Sequence, residues 1–84
     1  MLEYISEELL RRAVALAGEL SFSAAAEKMH VDPSVLRAQI HELSTRIGVQ
    51  IFEETEDRVE LTEGGKVLIQ VSQGYLAWRE AQKE

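Results

Sequence analysis

The chain has 84 residues, 45% of them apolar and 29% charged, a balance that fits one folded domain rather than a disordered chain. It has no cysteine, which excludes disulfides and thiolate metal sites, and no apolar run near the roughly 18 residues that span a membrane. A formal net charge of -6 argues against a generic polyanion binder, because a nucleic-acid duplex attracts basic surfaces.

The N-terminal run MLEYISEELL is acidic and lacks the basic and apolar regions of a signal peptide, so a cytoplasmic protein is expected. A first helix is predicted from Ser6, which caps it, with Glu7 and Glu8 at its positive end. Leu9, Leu10, Ala13, Val14 and Ala17 make its apolar face, and Gly18 or the residues just after it should end it. Ser21 or Ser23 caps a second helix built on Ala24, Ala25 and Ala26, small enough to let another helix approach closely. Met29 and Val31 anchor the turn that follows. Asp32 then Pro33 is a start signal for a third helix, an acidic cap followed by a residue that needs no N–H. Val35, Leu36, Ile40, Leu43 and Ile47 form its predicted buried stripe, and Gly48 stops it.

Gln50–Phe52 and Val59–Leu61 read as two strands of a hairpin whose polar tip is EETEDR. Thr62 and Glu63 begin a last helix. The predicted fold is mainly α: a winged helix-turn-helix with a three-helix core, a two-stranded wing and a long C-terminal helix. The domain is expected over residues 1–62, with residues 63–84 forming a linker and dimerisation helix packed on it.

Little in the sequence supports chemistry. His30 and His41 lie apart with no carboxylate at metal spacing, and there is no Ser–His–acid grouping and no Gly-rich phosphate loop. No metal, cofactor or enzymatic activity is expected. Arg37 and His41 share a face of the third helix, with Ser34 near them. That face is either a solvated polar surface or a base-reading one, since Arg pairs bidentately with guanine and Gln with adenine. Leu68, Val71, Tyr75 and Trp78, spaced 3, 4 and 3 apart, either pack back on the domain or form a seam with a second copy.

The segments SFSAAAEKMHV (Ser21–Val31), Gln39-Ile40, GVQIF (Gly48–Phe52) and VELTEGG (Val59–Gly65) are similar, in order and spacing, to the N-terminal DNA-binding domain of LysR-type bacterial transcription regulators. The resemblance covers about residues 9–70. It implies a third helix in the major groove of double-stranded DNA, a wing on the backbone, and a homodimer through the last helix. The residues expected to meet DNA are Ser23, Lys28, Ser34, Arg37, Gln39, His41 and Arg58. Those expected at the dimer interface are Leu68, Val71, Tyr75 and Trp78. The chain departs from the family at Arg37 and Ala38, where serine and arginine are usual, at Leu20, where glycine is usual, and at Glu54, where the wing usually carries arginine. With Glu53, Glu56, Asp57 and Glu60, Glu54 makes the hairpin acidic. The wing is therefore either a polar tip or a surface that repels DNA and suits a basic protein partner. Two functions follow: sequence-specific DNA binding in transcription regulation, or a winged-helix protein-interaction module that has lost most DNA affinity.

Overall fold

The computed structural model describes residues 5–55 and 58–82. Its elements run α1 (Glu7–Glu19), α2 (Phe22–Met29), α3 (Pro33–Ile47), β1 (Phe52–Glu54), β2 (Val59–Leu61) and α4 (Glu63–Ala81). The expected wing residues Glu56 and Asp57 lie outside the described residues.

Each helix start has a local cause. Ser21 Oγ accepts the Ala24 N–H at 3.2 Å, which settles the cap of α2 on Ser21 and leaves Ser23 exposed inside the helix. Asp32 accepts the Ser34 N–H at 2.9 Å and the Ser34 hydroxyl at 2.7 Å, with Pro33 in the first turn. Thr62 Oγ1 accepts the Gly65 N–H at 2.9 Å. Ser6 departs from expectation: it stands at the start of α1 and its carbonyl accepts the Leu10 N–H at 3.2 Å, but its hydroxyl makes no capping bond. Glu7 and Glu8 remain as the favourable charges at that helix end.

The first helix ends where expected, just after Gly18, and one boundary, the start of the first strand, differs from the sequence reading. The first helix continues through Gly18 to Glu19, and the left-handed exit falls on Leu20 at φ 54°, whose N–H reaches the Leu16 carbonyl at 2.7 Å. A leucine thus occupies backbone space that favours glycine. The first strand begins at Phe52 rather than Gln50. The Gln50 and Ile51 carbonyls are taken instead by Thr62, whose hydroxyl donates to the Gln50 carbonyl and whose N–H reaches the Ile51 carbonyl at 3.0 Å. This pins the start of α4 against the entry to the hairpin.

The hairpin is antiparallel, pairing Phe52 with Leu61, Glu53 with Glu60 and Glu54 with Val59. Glu53 and Glu54 are therefore strand residues, not part of the tip. Strand alternation puts Phe52, Glu54, Val59 and Leu61 on one face and sets Glu53 opposite Glu60 on the other. Two like charges directly opposite weaken a ladder.

The core lies where α1, α2 and α3 meet. Leu10, Leu16, Leu36 and Leu43 are fully buried there, and Ala25 and Ala26 let α2 pack closely. Ile51, Phe52 and Val59 close it from the hairpin side, and Leu68, Ile69 and Leu76 from α4. Val35, expected in the buried stripe of α3, is 46% exposed. The stripe runs through Leu36, Ile40 and Leu43 at helical spacing, and Val35 stands roughly 100° round the helix from Leu36. Gly65 is the tightest backbone contact: an added Cβ would fall 2.0 Å from the Ile51 carbonyl oxygen.

Candidate nucleic-acid interface

Helix α3 follows α2 across the turn at His30, itself left-handed at φ 60°. Its outward face carries Ser34, Arg37 and His41, all exposed. Ser34 is tied to the Asp32 cap. The Ser34 hydroxyl, and after it the Ser34 N–H, hold the Asp32 carboxyl below its ordinary range.

Arg37 is held by two neighbours. Its guanidinium lies 4.4 Å from the centre of the Phe22 ring, a cation–π contact. Its Nη1 donates to Glu54 Oε1. The other Glu54 oxygen lies 3.6 Å from His41 Nε2, an ion pair only when the imidazole is protonated. One wing carboxylate thus faces both outward basic groups in the middle of α3. The sequence reading gave Glu54 to a polar tip or to a surface that repels DNA and suits a basic partner, and missed this contact. The signal was present in the period-2 alternation from buried Phe52, which turns Glu54 to the side of the sheet that faces α3.

Of the remaining expected residues, Ser23 and Arg58 border Arg37 in one recess, whereas Gln39 and Lys28 are engaged elsewhere. Gln39 is half-buried and its Oε1 accepts from Arg12 Nη1, so it points to α1 instead of outward. It lies about 200° round the helix from Arg37, which accounts for the difference. Lys28 pairs with Glu19 at 3.4 Å, and Arg58 with Glu60 at 3.2 Å. Ser23 is exposed beside the Arg37–Glu54 contact and lines a shallow recess of about 270 Å³ with Leu20, Arg58 and Val59. On the other side of that contact a larger open groove of about 630 Å³ runs between α3 and β1, past His41, Ser44, Gln50 and Phe52. Among the described residues no three metal-binding side chains come together.

Charge is neutralised pair by pair. Every described Lys and Arg has a carboxylate within 4.0 Å: Arg11, Arg12, Lys28, Arg37, Arg46, Arg58, Lys66 and Arg79. Exposed pairs of this kind contribute only up to about 1 kcal/mol each. Their consequence here is electrostatic: the described surface offers no lysine or arginine without a nearby acid.

Helix α4 divides its apolar residues between two faces. Leu68 is buried in the domain's own core, which removes it from the expected seam. Tyr75 is half-buried against the same core, with its ring centre 6.4 Å from that of Trp78. Val71 is 49% and Trp78 57% exposed, and Val67, which the sequence reading left out, is 62% exposed. Val67, Val71, Gly74 and Trp78 form one outward stripe spaced 4, 3 and 4. This exposed stripe is turned from the one expected, because Leu68 and Leu76 are buried in the core where α4 packs on α1.

Residues 8–66 match the family described as bacterial regulatory helix-turn-helix protein, lysR family. The chain belongs to this family. It is 40% identical over 68 residues to the HTH-type transcriptional regulator TfdT of Cupriavidus pinatubonensis, an alignment covering 81% of this chain and 30% of the relative. The DNA-binding domain of BenM, solved in complex with catB site 1 DNA, superposes with a TM-score of 0.87 at 28% identity, covering 92% of this chain and 86% of that one. A full-length OxyR variant from Pseudomonas aeruginosa superposes at 0.84 with 33% identity, covering 90% of this chain and 25% of that one. The winged helix-turn-helix fold is the one these structures share. The chain spans less than a third of the length of TfdT and other curated relatives, which are transcriptional regulators.

Proposed function

We propose that this chain is the DNA-binding module of a bacterial transcription regulator, placing the outward face of α3 in the major groove of a specific duplex. The observation that carries the reading is the exposed α3 face of Ser34, Arg37 and His41, presented by a fold that superposes on a LysR-type domain in complex with DNA. Arg37 is the residue suited to a base edge, because its guanidinium can pair bidentately with guanine. The module works as a homodimer, two copies meeting along the Val67–Val71–Gly74–Trp78 stripe so that two α3 helices address two half-sites. It carries no enzymatic step, and its place of work is the cytoplasm, where chromosomal DNA lies.

Binding to random and enriched duplexes at low and moderate salt tests the reading. With every described Lys and Arg already paired, few phosphates are neutralised, so affinity falls shallowly with salt. Arg37→Ala weakens the specific complex by about 1–3 kcal/mol and relaxes preference at one base pair. If no duplex is enriched at any salt, the DNA reading is wrong, and the acidic wing then serves a basic protein partner.

A further inference from the structure

We propose that Glu54 is an internal competitor with DNA for Arg37, so that the wing sets how readily α3 engages a duplex. This rests on the DNA reading above and adds a residue and a mechanism to it.

The geometry has three parts. Glu54 is the third residue of β1, paired with Val59, and alternation from Phe52 aims it at α3. Its two oxygens face different groups of the recognition helix, Oε1 receiving Arg37 Nη1 and Oε2 lying 3.6 Å from His41 Nε2. The Phe22 ring supports the same guanidinium from α2, so Arg37 keeps a platform when the carboxylate leaves it. A carboxylate placed in this way does for the guanidinium what a phosphate oxygen does: it accepts a charge-assisted hydrogen bond.

Exposure decides between a lock and a competitor. The Arg37 and Glu54 side chains are 46% and 34% exposed. A pair so open to water is screened and weak, and it breaks by rotation of side-chain bonds without moving the ladder. Arg37 is therefore transferred, not trapped. A duplex must offer it a partner at least as good as Glu54, and a lone phosphate is close to an even exchange. The contact thereby removes one cation from sequence-independent attraction while leaving it available to a base edge.

The test separates this role from simple repulsion between an acid and phosphate. Duplex affinity and its salt dependence are measured by fluorescence anisotropy for the parent, Glu54→Gln, Arg37→Ala and the double variant, each with its thermal midpoint checked by circular dichroism. Glu54→Gln keeps the shape of the side chain and removes its charge. Competition predicts that Glu54→Gln binds random duplex roughly two- to fivefold more tightly, the strength of one exposed ion pair, with a salt slope steeper by about one contact. That gain disappears when Arg37 is already alanine. In the free protein, the NMR signal of the Arg37 side-chain Nε–H shifts in Glu54→Gln, and adding duplex shifts the parent's signal too. A Glu54→Gln gain that persists in full with Arg37→Ala overturns the proposal in favour of plain repulsion. Weaker binding by Glu54→Gln overturns it in favour of an orienting role. Duplex binding by the parent with no change in Glu54→Gln removes the competitor role alone, whereas no binding by any variant removes the DNA reading and this role with it.

Discussion

The same substitution at two glycines of α4 should have opposite effects. At Gly65 an ideal Cβ falls 2.0 Å from the Ile51 carbonyl oxygen, 2.9 Å from its carbon and 3.1 Å from Thr62 Oγ1. Favourable carbon contacts begin at about 3.5 Å, so the overlap exceeds roughly 1 Å. The atom it meets belongs to the backbone and already holds the Thr62 N–H at 3.0 Å. Relief requires moving α4 off the hairpin entry. Overpacking costs about 1–3 kcal/mol and a damaged buried hydrogen bond about 1 more, against a helix-propensity gain of about 1. A net loss of about 1–3 kcal/mol lowers the thermal midpoint of a domain this size by roughly 4–24 °C. At Gly74 nothing lies within 4 Å, so Gly74→Ala keeps only the propensity gain, about 1 kcal/mol, and raises the midpoint by roughly 4–8 °C. Circular-dichroism melting at a protein concentration low enough to keep both variants monomeric reads the two values. If Gly65→Ala melts at or above the parent's midpoint, the close approach of α4 to Ile51 is wrong, and with it the account of why the strand begins at Phe52.

Three further outcomes are expected. Val71→Glu with Trp78→Glu should turn a dimer into a monomer in sedimentation at micromolar concentration while leaving the far-ultraviolet spectrum folded, because both side chains are exposed in the single copy; a parent that sediments as a monomer refutes the seam. Ser72 is fully buried and its hydroxyl has no partner, so Ser72→Ala should be neutral or stabilising by up to about 1 kcal/mol in urea titration; a loss beyond that would mean the hydroxyl is satisfied. Asp32 titrates lower in the folded chain than in the unfolded one, because Ser34 donates to its charged form. Its contribution is therefore fully present above the ordinary carboxylate range and fades as pH falls below about 4. Asp32→Ala should melt lower than the parent at pH 7, with the gap closing in acid; a gap independent of pH places the cap elsewhere.

Local rules in the sequence were enough for the order of elements. Caps act within three residues, so Ser21 or Ser23, Asp32 and Thr62 marked where helices begin, and the 3.6-residue period marked Leu36, Ile40 and Leu43 within the inner stripe of α3. The acidic character of the wing and the distinctness of Arg37 were legible for the same reason, since composition needs no geometry. Tertiary packing decided the remainder. It turned Gln39 to Arg12 and left Val35 in solvent, because only the angle at which α3 docks fixes which flank of the stripe is covered. It drew Leu68 into the domain and left Val67 outside, because α4 must cover α1 before it can meet anything else. It also joined Glu54 to Arg37, residues 17 apart in the chain. Nothing local to either residue encodes that distance. It is set where the hairpin folds back against α3, and there the two features that seemed opposed in the sequence, an exposed arginine on α3 and an acidic wing, become partners in one contact.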